Sequence, residues 1–114
     1  MAFKFNLYLD QGSDYIIEMG LLDDLGNEIN ITDFQVYAQF RKGYGSKKSY
    51  NFKTTEIDAP TGTISLEYSA VESSLLTPGS YVYDIVLYNP TSSYTLRVVE
   101  GEWIVTPGVT IIWK

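Results

Sequence analysis

Along most of the chain, apolar and polar residues alternate with a period of two. Phe3, Phe5, Leu7 and Leu9 alternate with Lys4, Asn6 and Tyr8; Phe34, Val36, Ala38 and Phe40 alternate with Gln35, Tyr37, Gln39 and Arg41. The same rhythm runs through Ile17, Met19 and Leu21, through Ile64, Leu66 and Tyr68, and through Tyr81, Tyr83, Ile85 and Leu87. Such alternation sets one face on a core and the other in water, as antiparallel sheets do. Turn residues punctuate it at Leu25-Gly26-Asn27-Glu28, Gly43-Tyr44-Gly45-Ser46, Ala59-Pro60-Thr61-Gly62, Thr77-Pro78-Gly79-Ser80 and Asn89-Pro90-Thr91-Ser92. The pattern predicts seven strands, near 3–9, 15–22, 34–42, 49–57, 63–68, 81–88 and 94–105, with an apolar tail at 109–113 as a candidate eighth. Short strands with regular punctuation argue for a β-sandwich or barrel.

Three local signals refine this. Ser69-Ala70-Val71-Glu72 fits a capping box and predicts a helical turn near 70–76, ending before Pro78. Tyr81 follows a Pro-Gly corner at the start of a strand, which predicts a tyrosine corner with its hydroxyl returned to nearby backbone. In the last long strand the apolar phase shifts between Leu96/Val98 and Val99/Trp103/Val105. A β-bulge near Val98–Gly101, most naturally at Gly101, or a change of sheet would produce the shift.

A length of 114 residues allows a single domain, 1–114, and a hydrophobic fraction of 45% is enough for a core. The chain has neither Cys nor His. Disulfides, thiolate chemistry, the Ser-His-Asp triad and His-ligated metals are therefore excluded. Eight basic residues against fourteen acidic ones give a net charge of −6, which disfavours nucleic acid as a partner. No apolar run reaches the roughly 20 residues of a membrane-spanning helix. Met1-Ala2-Phe3-Lys4-Phe5-Asn6 lacks the apolar stretch of a signal peptide, so synthesis in a cytoplasm is expected.

The order of short motifs adds a resemblance. Asp10-Gln11-Gly12-Ser13-Asp14 opens the second strand, and Asp23-Asp24-Leu25-Gly26-Asn27 leads to Ile29-Asn30-Ile31-Thr32-Asp33-Phe34. Later come Gly62-Thr63-Ile64-Ser65-Leu66, Pro78-Gly79-Ser80-Tyr81, Arg97-Val98-Val99-Glu100-Gly101 and Val105-Thr106-Pro107. Over roughly residues 7–110 this layout resembles small immunoglobulin-like domains in virion proteins of tailed bacteriophages, with the N-terminal domain of baseplate upper proteins nearest. The resemblance implies an all-β, immunoglobulin-like antiparallel sandwich of seven to eight strands and a structural, non-enzymatic role in a phage particle. Baseplate upper proteins continue into long receptor-carrier regions, whereas this sequence stops at Lys114. The expectation is therefore the module alone, as a tail or baseplate accessory or a head decoration protein.

Several constellations were candidates for chemistry. Asp23, Asp24, Asn27 and Glu28 offer hard oxygen ligands suited to Ca²⁺, but the spacing is not that of an EF-hand, and a solvated hairpin loop is the simpler reading. Gly43–Lys48 has the glycines of a phosphate-gripping loop without the Walker spacing or a following helix. Glu100 and Glu102 share a strand face, as a glycosidase pair could, yet nothing marks either as buried. Asn30-Ile31-Thr32 matches a glycosylation sequon, which is irrelevant without export. No cofactor or metal is expected.

Charge is segregated. Residues 10–33 carry seven acids and no base, and residues 41–53 hold Arg41, Lys42, Lys47, Lys48 and Lys53. That suits packing between copies or docking on a neighbour. Tyr8, Tyr37 and Tyr88 fall on outward faces, where tyrosine serves protein interfaces or stacks on sugars. The tail Val109-Thr110-Ile111-Ile112-Trp113 is apolar enough to pair as an edge strand or dock on a partner. The expected contact residues are thus Arg41, Lys42, Lys47, Lys48, Tyr37, Tyr88, Ile111, Ile112 and Trp113. The expected partners are other virion proteins and further copies of the chain, with a carbohydrate-binding or host-recognition module as the alternative.

Overall fold

Two β-sheets packed face to face make up the protein in a computed structural model, which describes residues 3–23 and 25–110. The strands are β1 (Phe3–Lys4), β2 (Leu7–Asp10), β3 (Tyr15–Gly20), β4 (Gln35–Arg41), β5 (Tyr50–Asn51), β6 (Lys53–Asp58), β7 (Thr63–Tyr68), β8 (Gly79–Asn89) and β9 (Tyr94–Thr106). In the larger sheet, β1 and β2 both lie against β9, followed by β8, β4 and β5. The smaller sheet runs β3-β7-β6. With the order β3-β7-β6 facing β9-β8-β4, the fold is an all-β sandwich.

The structure corrects or completes the sequence pattern in four places. First, the strand expected at 3–9 breaks after Lys4, and both pieces run parallel to β9, so the sandwich is not wholly antiparallel. The pieces stay docked through the break: Phe5 N–H donates to the Glu100 carbonyl, Glu102 N–H to Asn6 Oδ1, and the Tyr83 hydroxyl to the Phe5 carbonyl. Second, the strand expected at 49–57 is divided at Phe52. Tyr50–Asn51 pairs with β4, whereas Lys53–Asp58 pairs with β7 in the other sheet. Alternation does not reveal this switch, because Phe52 is buried at the crossing and donates its N–H to Ala38. There are therefore nine strands among the described residues rather than seven or eight.

Third, the phase shift in β9 is a bulge and not a change of sheet. Ile85 pairs with Val99 and Val86 with Arg97, which leaves Val98 as the extra residue and buries both valines. Gly101 lies outside the bulge. It is glycine because a Cβ there would collide with the Phe5 carbonyl. Fourth, Pro107–Thr110 forms no strand and Val109 is fully exposed; Ile111, Ile112 and Trp113 lie outside the described residues.

The other local signals hold. Helix α1 (Ala70–Ser74) starts at Ser69, whose hydroxyl oxygen accepts from Glu72 N–H at 3.2 Å and donates to the Glu72 carboxylate at 3.0 Å. The Tyr81 hydroxyl donates to the Thr77 carbonyl at 2.7 Å, forming the tyrosine corner. Between the sheets, Phe40 of β4 packs on Tyr50, Phe52, Tyr68, Tyr81 and Trp103 with ring centroids 4.2 to 5.4 Å apart. This aromatic cluster joins the sheets without a disulfide.

Candidate binding surface

Because inward positions of β4, β8 and β9 fill the core, Tyr37, Gln39 and Arg41 of β4 face outward beside Val82, Asp84, Val86 and Tyr88 of β8. The bulge at Val98 then sets the register of β9. It places Glu100 opposite Asp84 and brings Arg97 between the two acids. Arg97 Nε lies 3.3 Å from Asp84 Oδ2, and its Nη1 lies 3.1 Å from Glu100 Oε2. One guanidinium thus bridges two carboxylates in the middle of the sheet. Burial is the main influence on Asp84 and pushes its pKa up. Glu100 adds to the rise, while Arg97 and Arg41 oppose it.

Two hollows flank this group and share Gln39 and Asp84. One, of about 220 Å³, is completed by Arg41, Tyr44, Arg97 and Glu100 among others. The other, of about 290 Å³, is completed by Tyr37, Val86, Tyr88 and Thr95. Tyr37 is about half exposed and its ring is steadied by a hydroxyl bond to Gln35 Oε1 at 2.7 Å. The face therefore combines aromatic edges with fixed charges. Glu100 is engaged by Arg97 and Glu102 accepts from the Ser80 hydroxyl at 2.8 Å, so neither is set up as a free acid/base pair.

The expected contact residues divide. Tyr37 and Tyr88 meet at one hollow, and Arg41 lines the other, donating through Nη1 to the Ser46 carbonyl at 3.0 Å. Lys42 and Lys48 instead lie over the rings of Tyr81 and Tyr50, at 4.6 and 5.1 Å, and Lys47 is exposed in the same 42–49 connection. Ile111, Ile112 and Trp113 fall outside the described residues. The Asp84–Arg97–Glu100 group was not anticipated. Its available signal was Asp84, the single charge in an eleven-residue strand.

The other constellations make local contacts. Asp23 Oδ1 accepts from Leu25 and Asn27 N–H at 2.9 Å, while Gly26 adopts a φ of 84°, so the acidic turn is held by its own side chain. Asp24 lies outside the described residues, and no cluster able to hold a metal occurs among those described. No helix follows the Gly43–Lys48 loop, which is closed by Ser46 N–H donating to the Gly43 carbonyl. Asn30 Oδ1 is taken by the Thr32 N–H and hydroxyl.

No protein-family model matches the chain, and no curated protein sequence matches it significantly. Among solved structures, the fold is similar to the N-terminal domain of phage TP901-1 ORF48, with a TM-score of 0.63 at 13% identity, covering 89% of this chain and 84% of that one. InlP of Listeria monocytogenes gives a TM-score of 0.44 at 16% identity, over 94% of this chain and 28% of that one. A family 123 glycoside hydrolase from Clostridium perfringens gives 0.43 at 10% identity, over 95% and 24%.

Proposed function

We propose that the chain is a non-enzymatic structural protein of a tailed-bacteriophage virion, made in the host cytoplasm and acting through protein–protein contacts. The observation that carries this reading is the shared fold with a phage protein domain over nearly the full length of both, at a TM-score of 0.63. The ordered motifs from Gln11-Gly12-Ser13-Asp14 to Val105-Thr106-Pro107 support it independently. The partners are other virion proteins, with neither nucleic acid nor membrane; a net charge of −6 supports the first exclusion. Mass spectrometry of gradient-purified particles is the test. Enrichment with the major virion proteins is expected, and presence only in the unassembled lysate overturns the proposal.

A second reading, a carbohydrate-binding or host-recognition module, is favoured by one observation. Tyr37 and Tyr88 border a hollow whose floor offers Gln39 and Asp84, the mixture of ring faces and planar polar groups that sugars use. A glycan array decides it. This reading predicts a signal abolished by Tyr37→Ala or Tyr88→Ala, and no signal excludes it.

A further inference from the structure

One edge of the sandwich is left open. The larger sheet carries β1 and β2 beyond β9, whereas the smaller sheet stops at β3, whose partner among the described residues is β7. Leu21 N–H donates to the Gly62 carbonyl, so the antiparallel alternation turns the backbone groups of Tyr15, Ile17 and Met19 toward β7 as well. The N–H and carbonyl groups of Ile16, Glu18 and Gly20 then point away from the sheet, and no other described residue takes them. Proteins usually blunt such an edge with a bulge, a lysine or an interruption. The other edges here are blunted: β6 opens on Lys53 and bulges between Glu56 and Asp58, β5 has two residues, and β1 and β2 are parted at Phe5 and Asn6. By contrast, β3 is a regular six-residue strand without Pro, Lys or bulge.

An apolar cleft runs beside this edge. A hollow of about 160 Å³ opens between Phe3 and Phe5, on the side of the larger sheet, and Met19 and Leu22, on the side of β3. Phe3 is 59% and Phe5 45% exposed, because the smaller sheet has no strand beyond β3 to cover them. The surroundings of the edge are acidic. At the start of β3 a second hollow, of about 330 Å³, gathers Asp14, Glu67 and Glu72 against Lys53 alone among the bases. Asp14 and Glu72 accept hydrogen bonds there, from Ala70 N–H and the Ser69 hydroxyl, and keep their charge. Within β3, Glu18 lies opposite Ser65 and joins neither of the ion pairs found among the described residues, both of which belong to Arg97. Lys4 follows Phe3 on β1 and by strand alternation projects to the opposite face from it.

We propose that the β3 edge accepts an extended segment of another virion protein as a fourth strand of the smaller sheet. The outward backbone groups of Ile16, Glu18 and Gly20 supply the ladder, which is how a strand adds to an open edge. Side chains of the added strand that face inward are apolar and fill the hollow under Phe3 and Phe5; those that face outward beside Glu18 are Lys or Arg, since opposite charges on neighbouring strands attract and like charges repel. The same charge argues against a second copy as the occupant. Pairing two β3 edges brings together two stretches, residues 10–33 of each copy, that carry seven acids and no base. The inference rests on the reading of the chain as a virion protein and names the manner in which a neighbour holds it.

Amide hydrogen exchange read by NMR on the full chain, with and without a synthetic peptide alternating valine and lysine, tests the acceptor edge. The Ile16, Glu18 and Gly20 amides should exchange rapidly in the free chain and become protected when the peptide is added. A peptide alternating valine and glutamate should protect none of them, and neither should the valine–lysine peptide once its backbone is N-methylated, which keeps the charge and removes the ladder. Ile16→Pro deletes one outward donor without touching the β3–β7 ladder, as edge prolines do, and should abolish the protection. Glu18→Lys leaves the backbone intact and should weaken the valine–lysine peptide about fivefold. Failure of the valine–lysine peptide to protect these amides, or equal protection by the acidic or N-methylated peptide, overturns the proposal. In purified particles, a photoreactive side chain placed at Ile16 should crosslink to an apolar and basic segment of another virion protein. Crosslinks to β3 or to residues 109–114 of a second copy, or none in particles that contain the chain, overturn the assigned occupant. Absence of the chain from particles overturns the virion role, while protection by the valine–lysine peptide would still establish β3 as a strand acceptor.

Discussion

Two residues define how this sandwich is held and what it presents. Phe40, fully buried at the centre, touches five aromatic rings drawn from both sheets and from the crossing at Phe52. Edge-to-face and stacked contacts of this kind contribute about 0.5–1.5 kcal/mol each beyond burial, enough in sum to replace a covalent pin. Asp84 is the counterpart on the outer face. Its raised pKa means that ionisation costs more in the folded chain than in the unfolded one. Its contribution to stability is therefore fully present below the ordinary carboxylate range, near pH 4, and is lost as pH rises through its elevated folded value. Asp84→Asn holds the side chain neutral at every pH. In urea titrations, the stability of the variant relative to wild type should be lowest in acid and improve as pH rises to 7. A difference that runs the other way would show that Arg97 outweighs burial at this site.

At the scale of elements, the kinked N-terminal pair docks on β9 by short parallel ladders. Gly101 leaves room for the Phe5 carbonyl, with the Phe5 carbonyl carbon 2.8 Å and Asn6 Oδ1 3.1 Å from the position a Cβ would take. Gly101→Ala should therefore destabilise the domain by about 1–3 kcal/mol, as overpacking does. Hydrogen exchange should quicken at the Phe5 and Glu102 amides while the β3–β7 ladder keeps its protection. Uniform acceleration across both sheets would contradict a local role. What the sequence revealed of these elements follows their range. The Tyr81 corner and the Ser69 cap join residues four and three positions apart, so their signatures are local. The parallel docking of β1 and β2 depends on a strand some 96 residues away, and no local pattern encodes it. The sheet switch at Phe52 is masked because Tyr50, Phe52 and Thr54 keep the inward rhythm across the crossing. The Arg97 bridge was out of reach for a related reason: it exists only once the bulge at Val98 has set the register of β9 against β8.

For the whole molecule, the feature that bears on the proposed role is the mixed aromatic and charged face on the larger sheet. It was partly visible in Tyr37 and Tyr88. The runs of like charge in the sequence do not sort to opposite ends, because the strand registers bring Asp14, Glu67 and Glu72 beside Lys53. The fold shared with a phage protein domain and the mixed face of the larger sheet are what the proposed structural role rests on. The most direct measurement is a reconstruction of the phage particle at a resolution that separates the two sheets. Repeated copies of this sandwich are expected within the virion, with the outer face of the larger sheet covered by adjoining protein. A particle whose density is fully assigned to other chains, with no place for the sandwich, would contradict the proposed role.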